Sequence, residues 1–247
     1  PALKNDCIKT YIQPKVDMRT GRIVGGEALV RWQREDGSMV YPDEFIPVIE
    51  KNGYVLDVDD YMWDKVCYYI KQLEKEGKTP VPISINVSRM HVYQEDFIDR
   101  IKKITSKYDI NPKLIPLEIT ESAFTSEESS LYRKIKSLQD CGYRFSMDDF
   151  GSGYSSLGML KDEHVDEVKI DKTFVDDIAT DKGRILLKNV IQMIRALGID
   201  MIAEGVETKE QADFLVNNGC IYAQGYYYYR PMPIEDFVLL LEKSGKE

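Results

Sequence analysis

Residues 145 to 156, FSMDDFGSGYSS, decide how the rest of the chain is read. A short apolar run from Phe145 ends in two adjacent carboxylates, Asp148 and Asp149, then opens into a Gly, Ser and Tyr loop before a helical pattern begins at Leu157. Like charges a few Å apart raise each other's pKa, so two neighbouring acids closing a buried strand call for cations. For a lone pair the alternative is a solvated turn in which an Asp caps the next helix. Repetition decides between the two. Glu27 follows Ile23-Val24, Asn86 follows Ile83 and Ile85, and Glu118 follows Ile115 and Leu117. Further on, Lys169 follows Val165 and Val168, Glu204 follows Met201 to Ala203, and Gln224 follows Ile221 to Ala223.

The surrounding pattern alternates strand and helix. Ile8 to Gln13 and Arg22 to Val30 are joined by a polar link containing Thr20-Gly21, which predicts a hairpin and hence an antiparallel start. Strands are then expected at Val81–Val87, Leu114–Ile119, Tyr143–Met147, Val165–Ile170, Ile199–Ala203 and Cys220–Ala223. Helices are expected from Pro42 to the Asn52-Gly53 stop, and over Asp59–Glu76, Glu95–Ser106, Glu127–Gln139, Lys182–Leu197, Lys209–Asn217 and Ile234–Lys243. Eight strands interleaved with helices form the (β/α)8 pattern of an α/β, TIM-like barrel with an antiparallel first strand. Its parallel strands would bring all the strand-end polar groups to one face.

At 247 residues the chain fits one such domain. With 33 basic against 42 acidic residues, the net charge of −9 argues against polymeric nucleic acid or an anionic membrane as partner. No apolar run approaches a membrane span. Scattered cysteines without metal spacing imply reduced thiols and a cytoplasmic setting. The start at Pro1-Ala2-Leu3 is read as a domain, 1–247, cut from a larger protein, which could itself be membrane-anchored. Acids with two amides suit hard divalent cations, Mg²⁺ or Mn²⁺, better than Zn²⁺, because neither Cys nor His recurs at a strand end. Asp148, with Asp149 beside it, is placed to bridge two ions of a phosphoester-cleaving centre.

Eight segments then resemble a known family: Tyr11-Ile12-Gln13-Pro14, Glu27-Ala28-Leu29-Val30-Arg31-Trp32, Ile85-Asn86-Val87-Ser88, Glu118-Ile119-Thr120-Glu121-Ser122, Asp148-Asp149-Phe150-Gly151, Lys169-Ile170-Asp171, Glu204-Gly205-Val206-Glu207 and Gln224-Gly225-Tyr226. Their order is similar to that of the EAL domain, the bacterial phosphodiesterase that opens cyclic di-GMP to linear pGpG. The resemblance implies a barrel with one antiparallel strand, a homodimer, and regulatory domains in the full-length chain. It also implies that Glu27, Asn86, Glu118 and Asp148 hold one metal, that Asp148, Asp149 and Glu204 hold the second, and that Ca²⁺ inhibits. Lys169 would orient the attacking water, Asp171 would hold that Lys or the water, Glu121 would anchor the loop from Phe150 to Ser156, and Gln224 would complete the water network. Arg31, with its planar fork, and Gln13 are the substrate contacts.

The remaining conspicuous residues have plainer readings. Tyr226 to Tyr229 could suggest a base-stacking platform, but in an extended chain alternate side chains face opposite ways, so core and rim packing is the expectation. His91 and His164 are expected at the surface, Trp32 and Trp63 in packing, and Glu127-Glu128 at a helix N-terminus. Two other function classes compete with the metallo-phosphodiesterase: a silent cyclic di-GMP receptor, and a glycosidase using Glu118 and Glu204. Every ligand position carries the expected residue type, with Ser152 the one small departure from the family loop, which disfavours the receptor. The glycosidase leaves Asp148, Asp149 and Lys169 without a task.

Overall fold

The computed structural model describes residues 2, 3, 5, 7–123, 128–151, 160 and 165–244. Expectations for Ser152 to Ser156, Leu157, His164 and Glu127 fall outside these residues. Among the described residues ten strands form one sheet: β1 (Ile8–Asp17), β2 (Ile23–Gln33), β3 (Met39–Val40), β4 (Ile83–Asn86), β5 (Leu117–Thr120), β6 (Phe145–Phe150), β7 (Glu167–Ile170), β8 (Asp200–Ala203), β9 (Tyr222–Ala223) and β10 (Met232–Pro233). The run β2-β4-β5-β6-β7-β8-β9 is parallel throughout, and β1 closes it by pairing antiparallel with β2 on one side and β9 on the other. Eight strands thus make a closed barrel, with β3 and β10 lying outside the ring.

Around the barrel run α1 (Pro42–Lys51), α2 (Val55–Lys75), α3 (Arg89–Val92), α4 (Phe97–Tyr108), α5 (Glu128–Gln139), α6 (Lys172–Asp176), α7 (Asp181–Ala196), α8 (Lys209–Asn218) and α9 (Ile234–Ser244). Local chemistry accounts for their starts. Pro42 opens α1, Thr180 Oγ1 accepts the Gly183 N–H of α7, and Thr208 and Gln211 form a capping box on α8. In α2 the buried residues Val55, Val58, Met62, Val66, Ile70 and Leu73 repeat every three or four positions, forming one apolar stripe against the sheet. Among the described residues no helix is long and apolar enough to cross a membrane.

Period-2 alternation splits each strand between two environments. Ile83, Ile85, Leu117, Ile119, Met147, Val168 and Ile170 join the buried layer shared with Trp63, Phe97, Ile101, Ile135, Leu187 and Ile191 of the helices. Their neighbours Ser84, Glu118, Ser146, Asp148 and Lys169 are buried polar groups. The barrel interior is therefore polar along several strands, and the apolar core lies between strands and helices.

Several boundaries differ from expectation. Helix α2 starts at Val55 because Val55 and Val58 extend its apolar stripe. Leu114 sits in a 3-10 turn that Asn111 caps from Lys113 N–H, so β5 starts only at Leu117. Strand β2 runs on to Gln33 to pair with β3, which puts Glu27 in mid-strand. Tyr226 to Tyr228 form a turn and not a strand, with Tyr226 and Tyr227 exposed. His91 is 0% exposed, contrary to a surface position. The single-turn α3 packs it 4.4 Å from the Trp63 ring, with Nδ1 3.2 Å from Asp59 Oδ2. Of the four thiols, all free, Cys67 and Cys220 are buried and Cys141 is exposed at the turn after α5.

Candidate metal centre

At the carboxyl ends of the parallel strands the inward polar residues meet around one ammonium. Lys169 Nζ lies 3.1 Å from Glu27 Oε2, 2.7 Å from Glu118 Oε2, 2.9 Å from Asp148 Oδ1 and 2.8 Å from Glu204 Oε1. Lys169 is 1% exposed, so it is no snorkelling surface lysine. Burial works to lower its pKa, but the carboxylates of Asp148, Glu118, Glu204 and Glu27 outweigh burial and hold it well above the ordinary value.

Two adjacent residues of a regular strand point to opposite faces, so Asp148 and Asp149 need a device to share a site. The pairing of β6 with β7 steps from Met147 opposite Val168 to Phe150 opposite Ile170, three residues against two. This bulge contains both acids. Asp149 takes a left-handed backbone, φ 57°, and its N–H donates to Asp148 Oδ1 at 3.0 Å. Two triplets result, Glu27–Glu118–Asp148 and Asp148–Asp149–Glu204, each with ligand atoms within 4.8 Å of one another, and Asp148 belongs to both. These are groups of acids that could each hold a metal ion.

Charge balance tests whether cations fit. Of the five carboxylates of these triplets, Glu27, Glu118, Asp148 and Glu204 contact Lys169, and Glu118 also contacts Lys15. Burial first, then the Glu118 and Asp148 charges, pushes the Glu27 carboxyl up, while burial and then Asp148 raise Asp149. Such an excess of buried carboxylate over ammonium suits divalent cations with oxygen ligands. Asn86 reaches the cluster at the end of β4, its Nδ2 donating to Glu27 Oε1 at 3.1 Å, which leaves its Oδ1 as the atom able to ligate.

Flanking groups hold this cluster in place. Gln224 Nε2 donates to Glu27 Oε2 at 2.6 Å and Glu204 Oε1 at 2.8 Å, and its Oε1 is a buried acceptor without a partner. Buried Glu121 accepts the Gly151 N–H at 3.2 Å, so it touches the start of the loop it is expected to anchor. Gly151, at φ 94°, has no room for a Cβ, which would fall 2.1 Å from the Phe174 ring. Trp63 Nε1 donates to the Asn86 carbonyl at 3.0 Å, and Asp59 Oδ2 accepts the Ser88 N–H at 3.1 Å. Trp63 therefore holds the Asn86 backbone as well as packing.

Asp171 leaves the strand: it caps α6, accepting the Thr173 N–H at 2.9 Å, and contributes to the electrostatic rise at Asp149. Gln13 lies opposite Glu27 in the β1–β2 register. Arg31 sits further out, 5.7 Å from the Tyr11 ring, its Nη1 donating to the Val30 carbonyl at 2.8 Å. Burial lowers its pKa, and Tyr226, Tyr11 and Tyr41 oppose the change. Beside the acids opens a cleft of about 590 Å³, lined by Glu27, Asn86, Ser88, Arg89, Thr120 and Ser122 among others. One residue is missing from the sequence-derived set, Lys15, whose Nζ is 2.8 Å from Glu118 Oε1. Its signal was available, since it stands two residues after Gln13 in an alternating strand and so faces the same side.

Comparison with known proteins follows this geometry. The model of the EAL domain matches residues 1–231. The chain is 35% identical over 237 residues to the signaling protein YkoW of Bacillus subtilis, covering 96% of this chain and 30% of that protein. To the probable cyclic di-GMP phosphodiesterase PdeG of Escherichia coli it is 33% identical over 246 residues, covering 99% and 48%. The chain thus spans less than half the length of either relative. Among solved structures, the PaMucR phosphodiesterase in complex with c-di-GMP matches with a TM-score of 0.90 at 31% identity over 96% of both chains. An EAL domain protein from Listeria monocytogenes matches at 0.85 and 30%, over 97% of this chain and 94% of that one.

Proposed function

Because the chain belongs to the EAL domain family, we propose that it hydrolyses cyclic di-GMP to linear pGpG at a centre built for two Mg²⁺ or Mn²⁺ ions. The observation that carries this reading is the pair of acid triplets sharing Asp148. Glu27, Asn86, Glu118 and Asp148 would hold one ion, and Asp148, Asp149 and Glu204 the other. Divalent cations held there supply activation of water and neutralisation of charge on the phosphodiester.

The chain's own residues do the rest. Lys169, the ammonium already at the centre of the cluster, orients the attacking water and offsets charge on the phosphate. Gln224 fixes Glu27 and Glu204 by hydrogen bonds from one amide. Glu121 holds the Gly151 end of the loop, and Asp171 fixes the first turn of α6 directly after the Lys169 strand. The cleft beside Asn86 receives the nucleotide, with Arg31 and Gln13 at the β1–β2 side as substrate contacts. We read the domain as one module of a longer cytoplasmic signalling chain with regulatory domains, working as a homodimer; the partial coverage of its relatives supports the longer chain.

The test is incubation with cyclic di-GMP and Mg²⁺ or Mn²⁺, with and without chelator, followed by separation of products. Formation of pGpG that stops in chelator and falls when Ca²⁺ replaces Mg²⁺ is the expected result, since Ca²⁺ prefers longer bonds and looser geometry. Full turnover in excess chelator would overturn the metal centre.

A further inference from the structure

We propose that Lys15 is a positioning residue that holds the Glu118 carboxylate from the far side of the barrel and so aims its second oxygen at the metals. The inference rests on the reading of Glu118 as a ligand. Glu118 is 1% exposed, and its two oxygens are divided between two ammoniums: Oε1 accepts from Lys15 Nζ at 2.8 Å, and Oε2 from Lys169 Nζ at 2.7 Å. Lys169 lies inside the ligand cluster. Lys15 bonds to the other oxygen and, among the described acids, to Glu167 at 3.5 Å.

Lys15 comes from below because β1 is the antiparallel strand. Along β1 Gln13 stands opposite Glu27 and Lys15 opposite Gly25, so successive inward residues descend the barrel where those of every other strand climb. At the opposite mouth Lys15 lines a cavity of about 230 Å³ with Gly25, Ser84, Ser146 and Glu167. Gly25 brings no side chain to that space, and a Cβ there would press to 2.9 Å of the Pro82 carbonyl. Ser146 Oγ donates to Glu167 Oε1 at 3.0 Å. A continuous polar chain, Ser146–Glu167–Lys15–Glu118–Lys169, therefore runs along the barrel axis. An ammonium has donors but no lone pair, so Lys15 fixes a ligand without being one. Partners that orient a metal-binding carboxylate in this way typically set metal affinity by about 10- to 100-fold.

The experiment titrates Mn²⁺ alone into the metal-free chain by calorimetry, comparing wild type, Lys15→Met, Lys15→Arg and Glu118→Gln, with a thermal melt of each. Lys15→Met keeps the length and loses the donor, and should weaken Mn²⁺ binding about tenfold or more. Lys15→Arg, whose guanidinium can occupy the lower cavity, should recover most of the affinity. Wild-type affinity in Lys15→Met, or an equal loss in Lys15→Arg, would overturn the positioning role. Glu118→Gln separates this from the parent reading: if it binds Mn²⁺ as wild type does, Glu118 is no ligand and both fall. If only Lys15→Met is silent, the inference falls alone. Should Lys15→Met not fold, the wild-type protein still decides. The ¹⁵Nζ resonance of Lys15, assigned by its loss in Lys15→Arg, should move on saturation with Mg²⁺, and an unmoved signal would overturn the proposal.

Discussion

Glu118 on β5 and Glu204 after β8 are the same residue type, 2.7 and 2.8 Å from the same Lys169 ammonium, yet their carboxyls are driven in opposite directions. Burial raises both. At Glu118 the charges and hydrogen bonds of two lysines, Lys15 and Lys169, outweigh burial and hold the carboxyl below the ordinary carboxylate range. At Glu204 burial is the largest influence, Lys169 opposes it, and Asp148 and Glu27 add to it, so the carboxyl is pushed up from 4.5 to about 8. Gln224 donates a hydrogen bond to Glu204, but an amide carries no charge. The difference teaches that, with both carboxyls buried, the number of ammoniums beside each decides whether burial prevails. Without metal the Glu118 side favours the anion, while the Glu204 side favours a proton that a bound cation would displace.

The sharpest way to break this comparison is to remove each carboxylate in turn. Glu118→Gln should abolish hydrolysis and also destabilise the metal-free fold by up to about 3 kcal/mol, since it strips a buried pair of its anion and leaves Lys15 only the longer contact to Glu167. In a chain of this size that is a drop of up to roughly 6–12 °C in Tm. Glu204→Gln should also abolish hydrolysis but disturb the metal-free melt near neutral pH less than Glu118→Gln does, because burial already biases the Glu204 carboxyl towards its protonated form. Equal losses of stability in the two variants, read by calorimetry with chelator present, would show that the sides are electrostatically alike.

A smaller effect sharpens the same contrast through pH. Between about 4.5 and 8 the folded state keeps the Glu204 proton that the unfolded chain releases, so the native state binds more protons. Stability of the metal-free protein is therefore fullest below about pH 4.5 as far as this group is concerned, and declines as pH rises to about 8. A fall in Tm on the order of 5 °C is expected from pH 5 to pH 8. Glu204→Gln should make the slope shallower, and saturating Mg²⁺ should reverse it, because the cation then replaces the proton. A Tm that rises over this range in chelator would contradict the assignment.

The smallest expected change lies outside both carboxylates. Glu121→Ala removes the acceptor for the Gly151 N–H without touching a ligand, and should lower turnover about tenfold while shifting Tm by only a few degrees. Metal-titrated hydrolysis beside a melt checks this. Unchanged turnover removes the anchoring role, and a collapsed melt makes Glu121 a residue of the fold.

Much of this molecule was legible in the order of its residues. Apolar runs ended by Asn86, Glu118, Asp148, Lys169, Glu204 and Gln224 marked strands whose carboxyl ends meet, and Gly, Pro and capping residues marked the helices between them. Those signals are local, carried by periods of two and 3.6 and by caps a few residues wide. The segment resemblance added the roles of Glu121 and Asp171, and Glu121 does reach Gly151. A surface His91 and packed Tyr226 and Tyr227 are not what the structure shows, because the first is decided by the α2 face that α3 packs on and the others lie in the turn after β9.

By itself, then, the sequence determined the barrel, its antiparallel entry and the acids of its mouth. Only the tertiary structure decided how those acids are aimed and charged. Asp149 joins Asp148 through a bulge against β7 and a left-handed backbone that no neighbour in sequence announces. Lys15 meets Glu118 across 103 positions of chain because one strand runs against the others. Both depend on pairing between distant strands, and the ionisation of a buried carboxyl depends on which cations that pairing brings within about 3 Å, a distance that sequence separation does not encode.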